Sequence, residues 1–214
     1  VGQVAILGGT GQEGFGLGVR WAMAGLGIVL GSRVRERAEE AVRRARQLGL
    51  GNVFGATNRE AAEAGEVVVL AVPFHAHPQI LPELRVAVRG KVVVDTTVPL
   101  RRLNPPELVV PPEGSSAQRV QSLLPEARVV AAFHTVAARK LHRLDVQLDE
   151  DTLVCGDDAE AKERVVELAR ALGLRGLDAG RLDQAGALER LAALVIGLNH
   201  RYRRTAVGIR FVGL

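Results

Sequence analysis

Cysteine is almost missing from this chain: Cys155 stands alone among 214 residues, so no disulfide forms within it. A lone thiol suits a reducing compartment, and a cytoplasmic location is expected. It lies in the strand-like run Leu153-Val154-Cys155-Gly156 and reads as a small buried apolar residue, not a nucleophile. Aromatic residues make up 3% of the chain, which removes the stacking platform that single-stranded nucleic acid requires. Lysine is scarce too, with Lys91, Lys140 and Lys162 the three among 28 basic residues. The arginines are scattered, so a net charge of +4 and a pI near 9.9 reflect compositional habit, and no nucleic-acid partner is expected. The short cluster Arg201, Arg203 and Arg204 equally suits a subunit contact. No apolar run approaches the roughly 20 residues that cross a bilayer. No charged-then-apolar leader precedes the first strand pattern, so neither a membrane span nor a signal peptide is expected.

What the chain has is glycine in one telling place. Residues 4–14 read Val-Ala-Ile-Leu-Gly-Gly-Thr-Gly-Gln-Glu-Gly, a buried-strand pattern followed by G-x-G-x-x-G at Gly9, Gly11 and Gly14. In that setting Gly9 is expected to allow the tight turn and Gly11 the close approach of a pyrophosphate. Gly14 lets the helix close on the sheet, and the helix N-terminus offers free N–H groups to the anion. The next apolar run, Ile28-Val29-Leu30, ends in Gly31-Ser32-Arg33 with no carboxylate at its tip. An NAD site needs an acid there for the ribose hydroxyl. A hydroxyl followed by a guanidinium suits a 2′-phosphate instead, with Arg37 one helical turn further on. NADP is therefore the expected nucleotide, while Arg35 reads as solvated helix surface.

Strand and helix patterns alternate along the whole chain, with strands near 3–8, 27–31, 52–55, 66–72, 91–95, 128–133, 152–155 and 174–178. This predicts an α/β fold: a Rossmann-type, doubly wound, mostly parallel sheet with helices on both faces and a small C-terminal extension. We divide it into an NADP-binding domain over 1–146 and a β/α extension over 147–214 that completes the sheet and forms the subunit interface. The proline-rich stretch 96–115 reads as a loop without regular structure. The tail Val207, Ile209 and Phe211 alternates like a strand, which predicts that it packs back on the sheet or across a subunit boundary. Together with the apolar last helix it suggests a homodimer.

A doubly wound sheet gathers its strand tips at one crevice. The fourth tip carries Val72-Pro73-Phe74-His75, the fifth Asp95-Thr96-Thr97-Val98-Pro99, and the sixth Phe133-His134-Thr135-Val136-Ala137-Ala138. Val98, Pro99, Val136 and Ala138 supply the dry walls that aligned hydride transfer needs. His134 serves there either as a donor to substrate or as a local structural partner, and both readings stand. Asp95 is expected to pair with a nearby arginine. His75 and His77 lack further ligands at metal spacing, so no metal is assigned.

These segments, with Val-Cys-Gly-Asp-Asp at 154–158 and the terminal Gly-Ile-Arg-Phe, resemble the F420-dependent NADP oxidoreductases nearly end to end and in order. The resemblance implies hydride exchange between NADP(H) and the deazaflavin coenzyme F420, or a similar flavin-like ring, with the two rings stacked. It places phosphate contacts on Thr10, Gly11, Gln12, Glu13, Ser32, Arg33 and Arg37. It puts the nicotinamide near Pro73, Phe74, Val98 and Ala138, and the deazaflavin near Val98, Pro99, His134, Thr135, Val136 and Val207. The chain departs from the pattern in having Phe74 for a tryptophan, Val136-Ala137 for Ile-Pro, and a rewritten loop after Pro99. No catalytic acid or base is assigned. Tyr202 is followed four places on by Ala206, so the Tyr-x-x-x-Lys of short-chain reductases is missing. A redox sensor that binds NADP(H) without turnover is the alternative.

Overall fold

In the computed structural model, which describes residues 2–214, strands and helices alternate from the first residues onward. The first half runs β1 (Val4–Leu7), α1 (Gln12–Met23), β2 (Ile28–Ser32), α2 (Arg35–Gln47), β3 (Val53–Thr57), α3 (Asn58–Ala64), β4 (Val67–Leu70), α4 (His77–Leu84) and β5 (Val92–Asp95). A hairpin follows, β6 (Leu100–Leu103) and β7 (Pro106–Leu108), and then α5 (Ser116–Leu123), β8 (Arg128–Ala131) and α6 (Ala138–Leu141). The chain finishes with β9 (Asp151–Gly156), α7 (Ala159–Ala171), β10 (Arg175–Asp178) and α8 (Ala185–Arg201).

The main sheet has the order β10-β9-β8-β5-β4-β1-β2-β3. Its six strands from β3 to β8 are parallel and carry the doubly wound order, with the reversal between β1 and β4. β9 joins β8 antiparallel, and β10 follows β9 in parallel. The sheet is thus mostly parallel, as the strand patterns imply. The last two strands start where the others end, so Glu150 and Asp151 lie at the crevice end of the sheet.

Alternation along the strands builds two cores. Val4, Ile6, Val67, Val69, Val92 and Val94 face α1, α2 and α7, while Ala5, Leu7, Val68, Leu70 and Val93 face α4, α5 and α8. All of these strand residues are fully buried, and each large one contributes on the order of 1.5–3 kcal/mol by leaving water. Trp21 anchors the first core: its indole Nε1 donates to the Leu168 carbonyl at 2.9 Å and its ring meets Phe133 edge-on at 5.7 Å.

The stretch 96–115 is not the irregular loop its prolines imply. It carries the β6–β7 hairpin, with Pro105 in the turn after a cis Asn104–Pro105 bond and Pro106 opening the second strand. A two-stranded hairpin tolerates proline because its edges need no further donors. The tail forms no strand. It packs back on the sheet edge, where the Asp151 N–H donates to the Ile209 carbonyl at 2.8 Å and Arg175 holds Asp151 at 2.7 Å.

Candidate functional site

The turn between β1 and α1 is built from glycine, one residue earlier than the spacing suggests. Gly8, with φ +79°, is the left-handed residue, and a Cβ there would sit 2.4 Å from the Ala71 carbonyl oxygen. Gly9 provides closeness instead, because a Cβ would lie 3.0 Å from the Leu30 backbone. Gly14 acts as expected: a Cβ would meet the Gly8 carbonyl at 2.7 Å, so only glycine lets α1 close on the turn. Gly11 stands at the N-terminus of α1 without a side chain across the free N–H groups.

Two cavities meet over this turn and share Gly11, Ala71, Val72 and Pro73. The smaller, about 360 Å³, is bounded by Thr10, Ser32, Arg33, Arg37, His75 and Asn58. Ser32 is buried and its hydroxyl accepts from the Val34 N–H at 3.3 Å, which directs the β2 tip toward Arg33. Arg33 and Arg37 are exposed and form no ion pair among the described residues, whereas Arg35 pairs with Glu60 outside the cavity. Asn58, which sequence reading missed, accepts from the Gly8 N–H at 3.3 Å and braces the turn from α3.

The larger cavity, about 730 Å³, collects Gln12, Glu13, Phe74, Val98, His134, Thr135, Val136, Ala138 and Val207. Pro99 is not among the residues lining it. Pro99 is buried, and its carbonyl accepts from the Val109 N–H at 2.7 Å, so it supports the wall. Gly9 and Gly14 likewise lie beneath the surface. α8 closes the far side with Ala192, Val195, Ile196 and Asn199. The sequence shows the last helix only as apolar and does not single these four out as site residues.

Two clamps hold the walls. The Arg20 guanidinium donates to the carbonyls of Lys140, Leu141, Arg143 and Val146 at 2.7–3.0 Å, fastening α6 and the following loop to α1. The Asn199 side-chain oxygen accepts from the Val207 N–H at 3.1 Å and ties the tail to α8. Phe133 has φ +68°, a strained conformation for a large side chain, and directly precedes His134 at the cavity.

Behind the larger cavity lies an unusual floor. Asp95, His134 and Glu189 are buried, and one oxygen or ring nitrogen from each lies within 4.8 Å of the others. Among the described residues no arginine pairs with Asp95, contrary to expectation. Its Oδ1 accepts from the Thr97 N–H at 3.2 Å, and its Oδ2 is without a partner. Burial pushes Glu189 up to about 8, with the Asp95 charge adding to the effect. Burial also pushes Glu13 up to about 7, opposed by a hydrogen bond to Thr96, and holds His134 down at about 4. The two histidines of His-x-His diverge: His75 is exposed at the smaller cavity, while His77 is buried against Thr97 Oγ1 at 3.3 Å. Burial pushes the Cys155 thiol up to about 11, as suits an inert packing residue.

The comparisons with known proteins agree with this geometry. A family described as NADP oxidoreductase, coenzyme F420-dependent, matches residues 3–99. The chain is 40% identical to the F420-dependent NADP reductase of Methanocaldococcus jannaschii, covering 99% of each chain. It is 36% identical to that of Methanothermobacter marburgensis, again over 99% of each. Among solved structures, a candidate F420-dependent NADP reductase from Arthrobacter sp. FB24 superposes with a TM-score of 0.84 at 25% identity, over 98% of both chains. With relatives aligned end to end and its glycine turn opening on two joined cavities, the chain belongs to the F420-dependent NADP reductase family.

Proposed function

We propose that this protein transfers a hydride between NADP(H) and coenzyme F420, with the nucleotide lying across both cavities. The observation that carries the reading is the junction of the cavities over a turn that any Cβ would fill. Arg33 and Arg37, with the Ser32 hydroxyl, receive the 2′-phosphate. The α1 N-terminus and the backbone of Thr10, Gly11 and Gln12 receive the pyrophosphate. Pro73, Phe74, Val98 and Ala138 wall the nicotinamide, and His134, Thr135, Val136 and Val207 face the acceptor ring. Bound NADPH supplies the hydride. The protein supplies alignment and a dry slot, on which close ring-to-ring transfer depends.

The division of labour follows the sheet: residues 1–146 bind the nucleotide, while 147–214 complete the sheet and the acceptor wall. Two features support a homodimer. Leu103 and Leu194 are exposed, and an apolar groove of about 580 Å³ runs between the β6–β7 turn and α8. Light scattering of the purified protein checks this. Among the described residues, no helix is long and apolar enough to cross a membrane. A free, buried Cys155 supports a location in the reducing cytoplasm. Mixing it with NADPH and oxidised F420 should bleach the 340 nm absorbance with one NADPH consumed per F420 reduced. Tight NADPH binding without turnover would overturn the reading in favour of a sensor.

A further inference from the structure

Hydride transfer from NADPH to a deazaflavin leaves an account open. The dihydronicotinamide C–H bond breaks, its electron pair and hydrogen form a C–H bond on the acceptor ring, and NADP⁺ departs. The reduced acceptor then carries one negative charge more, and it is neutralised only when a ring nitrogen gains a proton. That proton must come from solvent or from the protein; Phe74, Val98, Val136 and Ala138 on the cavity wall are apolar, and Glu13 and His134 are titratable groups that line it.

The floor of the cavity answers the need. Asp95 on β5, His134 after β8 and Glu189 on α8 are 0, 9 and 1% exposed. None of the three is in an ion pair among the described residues, and both His134 ring nitrogens and Asp95 Oδ2 lack partners. Two buried carboxylates within 4.8 Å of an imidazole, with no paired cation, cannot all be deprotonated at modest cost. The other charged or titratable groups around them do not change this. Glu13 on α1 adds a further acid, and His77 on α4 is held neutral by burial. On α5, Arg119 lies over the Phe74 ring, and Arg190 on α8 donates to the Gly186 carbonyl at 3.0 Å. Glu189 accepts from the Ser116 N–H at 2.7 Å, which fixes its carboxyl on the buried side.

Of the three, only His134 borders the cavity. We propose that Asp95 and Glu189 hold one proton behind His134, and that the His134 imidazole relays it to the ring nitrogen of the acceptor as the hydride arrives. A neutral imidazole suits a relay, because one nitrogen carries the N–H it gives up while the other accepts from behind. The low proton affinity of His134 and the raised affinity of Glu189 match those roles. Solvent recharges the pair after turnover. In this scheme His134 is the catalytic residue, and Asp95 and Glu189 act through it. The inference rests on the F420 reading above.

The test compares wild type with Glu189→Gln and Asp95→Asn, both isosteric, in stopped flow with NADPH and F420 from pH 5 to 9. An indicator dye in weak buffer follows proton uptake from solvent. In the wild type, loss of 340 nm absorbance should run ahead of proton uptake. Each variant should transfer hydride at least about tenfold more slowly, with uptake now simultaneous, a smaller loss than the roughly hundredfold or more of a directly acting general acid, because both residues act through His134. Infrared spectra of the free protein at pH 7 should show a protonated-carboxyl band that Glu189→Gln diminishes. If Asp95→Asn does not fold, Glu189→Gln carries the same test. Variants with wild-type rates and pH profiles would overturn the relay while leaving the F420 reading standing. A wild type that binds NADPH but never reduces F420 would remove that reading, and the relay with it. Zinc or manganese found by elemental analysis of the purified protein, and lost in Asp95→Asn, would overturn the relay by making the three groups metal ligands.

Discussion

The two cavities were specified in different ways. The smaller takes its glycine turn and its cations from two local segments, Gly8 to Gly14 and Ser32 to Arg37 at adjacent strand tips, while Asn58 and the β4 tip complete it. The larger is assembled from far apart. α1, the tips of β4, β5 and β8, α8 and the tail all contribute, and Gln12 and Val207 meet across nearly the whole chain. A local site survives in a motif. An assembled one depends on clamps such as Arg20, whose partners lie more than 119 residues away in sequence. Substitutions in the first should therefore strike nucleotide binding outright, and those in the second should alter how the acceptor is used.

The largest effect tests the local half. Gly8→Val forces a β-branched residue into φ +79° with its Cβ 2.4 Å from a carbonyl oxygen. Strain and overpacking together should cost about 3 kcal/mol or more of stability and abolish NADPH binding, as read by a denaturant melt and fluorescence titration. Retained binding would mean the turn is not the phosphate cradle. Next comes Arg33→Ala, which should weaken NADPH binding by about 1–3 kcal/mol while sparing NADH, because only the 2′-phosphate pairs with the guanidinium. Equal losses for both nucleotides would erase the chemical distinction between Arg33 and Arg35.

The smallest effect probes the assembled half through pH. Glu13 and Glu189 bind their protons more tightly folded than unfolded. Their contribution to stability is therefore full below about pH 4.5 and is lost as pH rises toward 7 and 8. His134 does the opposite: with its folded value near 4, its contribution is full above about 6.5 and is lost as pH falls. The melting temperature should thus decline on both sides of mildly acidic pH. Glu189→Gln should flatten only the alkaline decline, and parallel curves for variant and wild type would show that Glu189 is not protonated in the fold.

The glycine run, the Ser32–Arg33 pair and the alternating strand patterns were legible because each depends on neighbours in sequence. Misreadings occurred where long-range contact decides. Prolines 105 and 106 suggested an irregular loop but sit in a hairpin, since β6 and β7 pair with each other and leave proline at tolerated positions. Asp95 was expected to have an arginine and instead faces His134 and Glu189, which come from other strand and helix termini. Pro99 borders Val98 in sequence, yet its side of the chain turns inward.

The sequence by itself determined the α/β alternation, the glycine turn after β1 and the hydroxyl and guanidinium at the β2 tip, because backbone freedom at glycine and charge at a strand tip are local properties. Only the tertiary structure decided that Gly8 takes the left-handed turn and that α8 walls the larger cavity. It also decided that two acids and a histidine share a dry floor beneath that cavity. Burial raises or lowers a proton's affinity only where distant segments exclude water together, and no local pattern in a chain reports that.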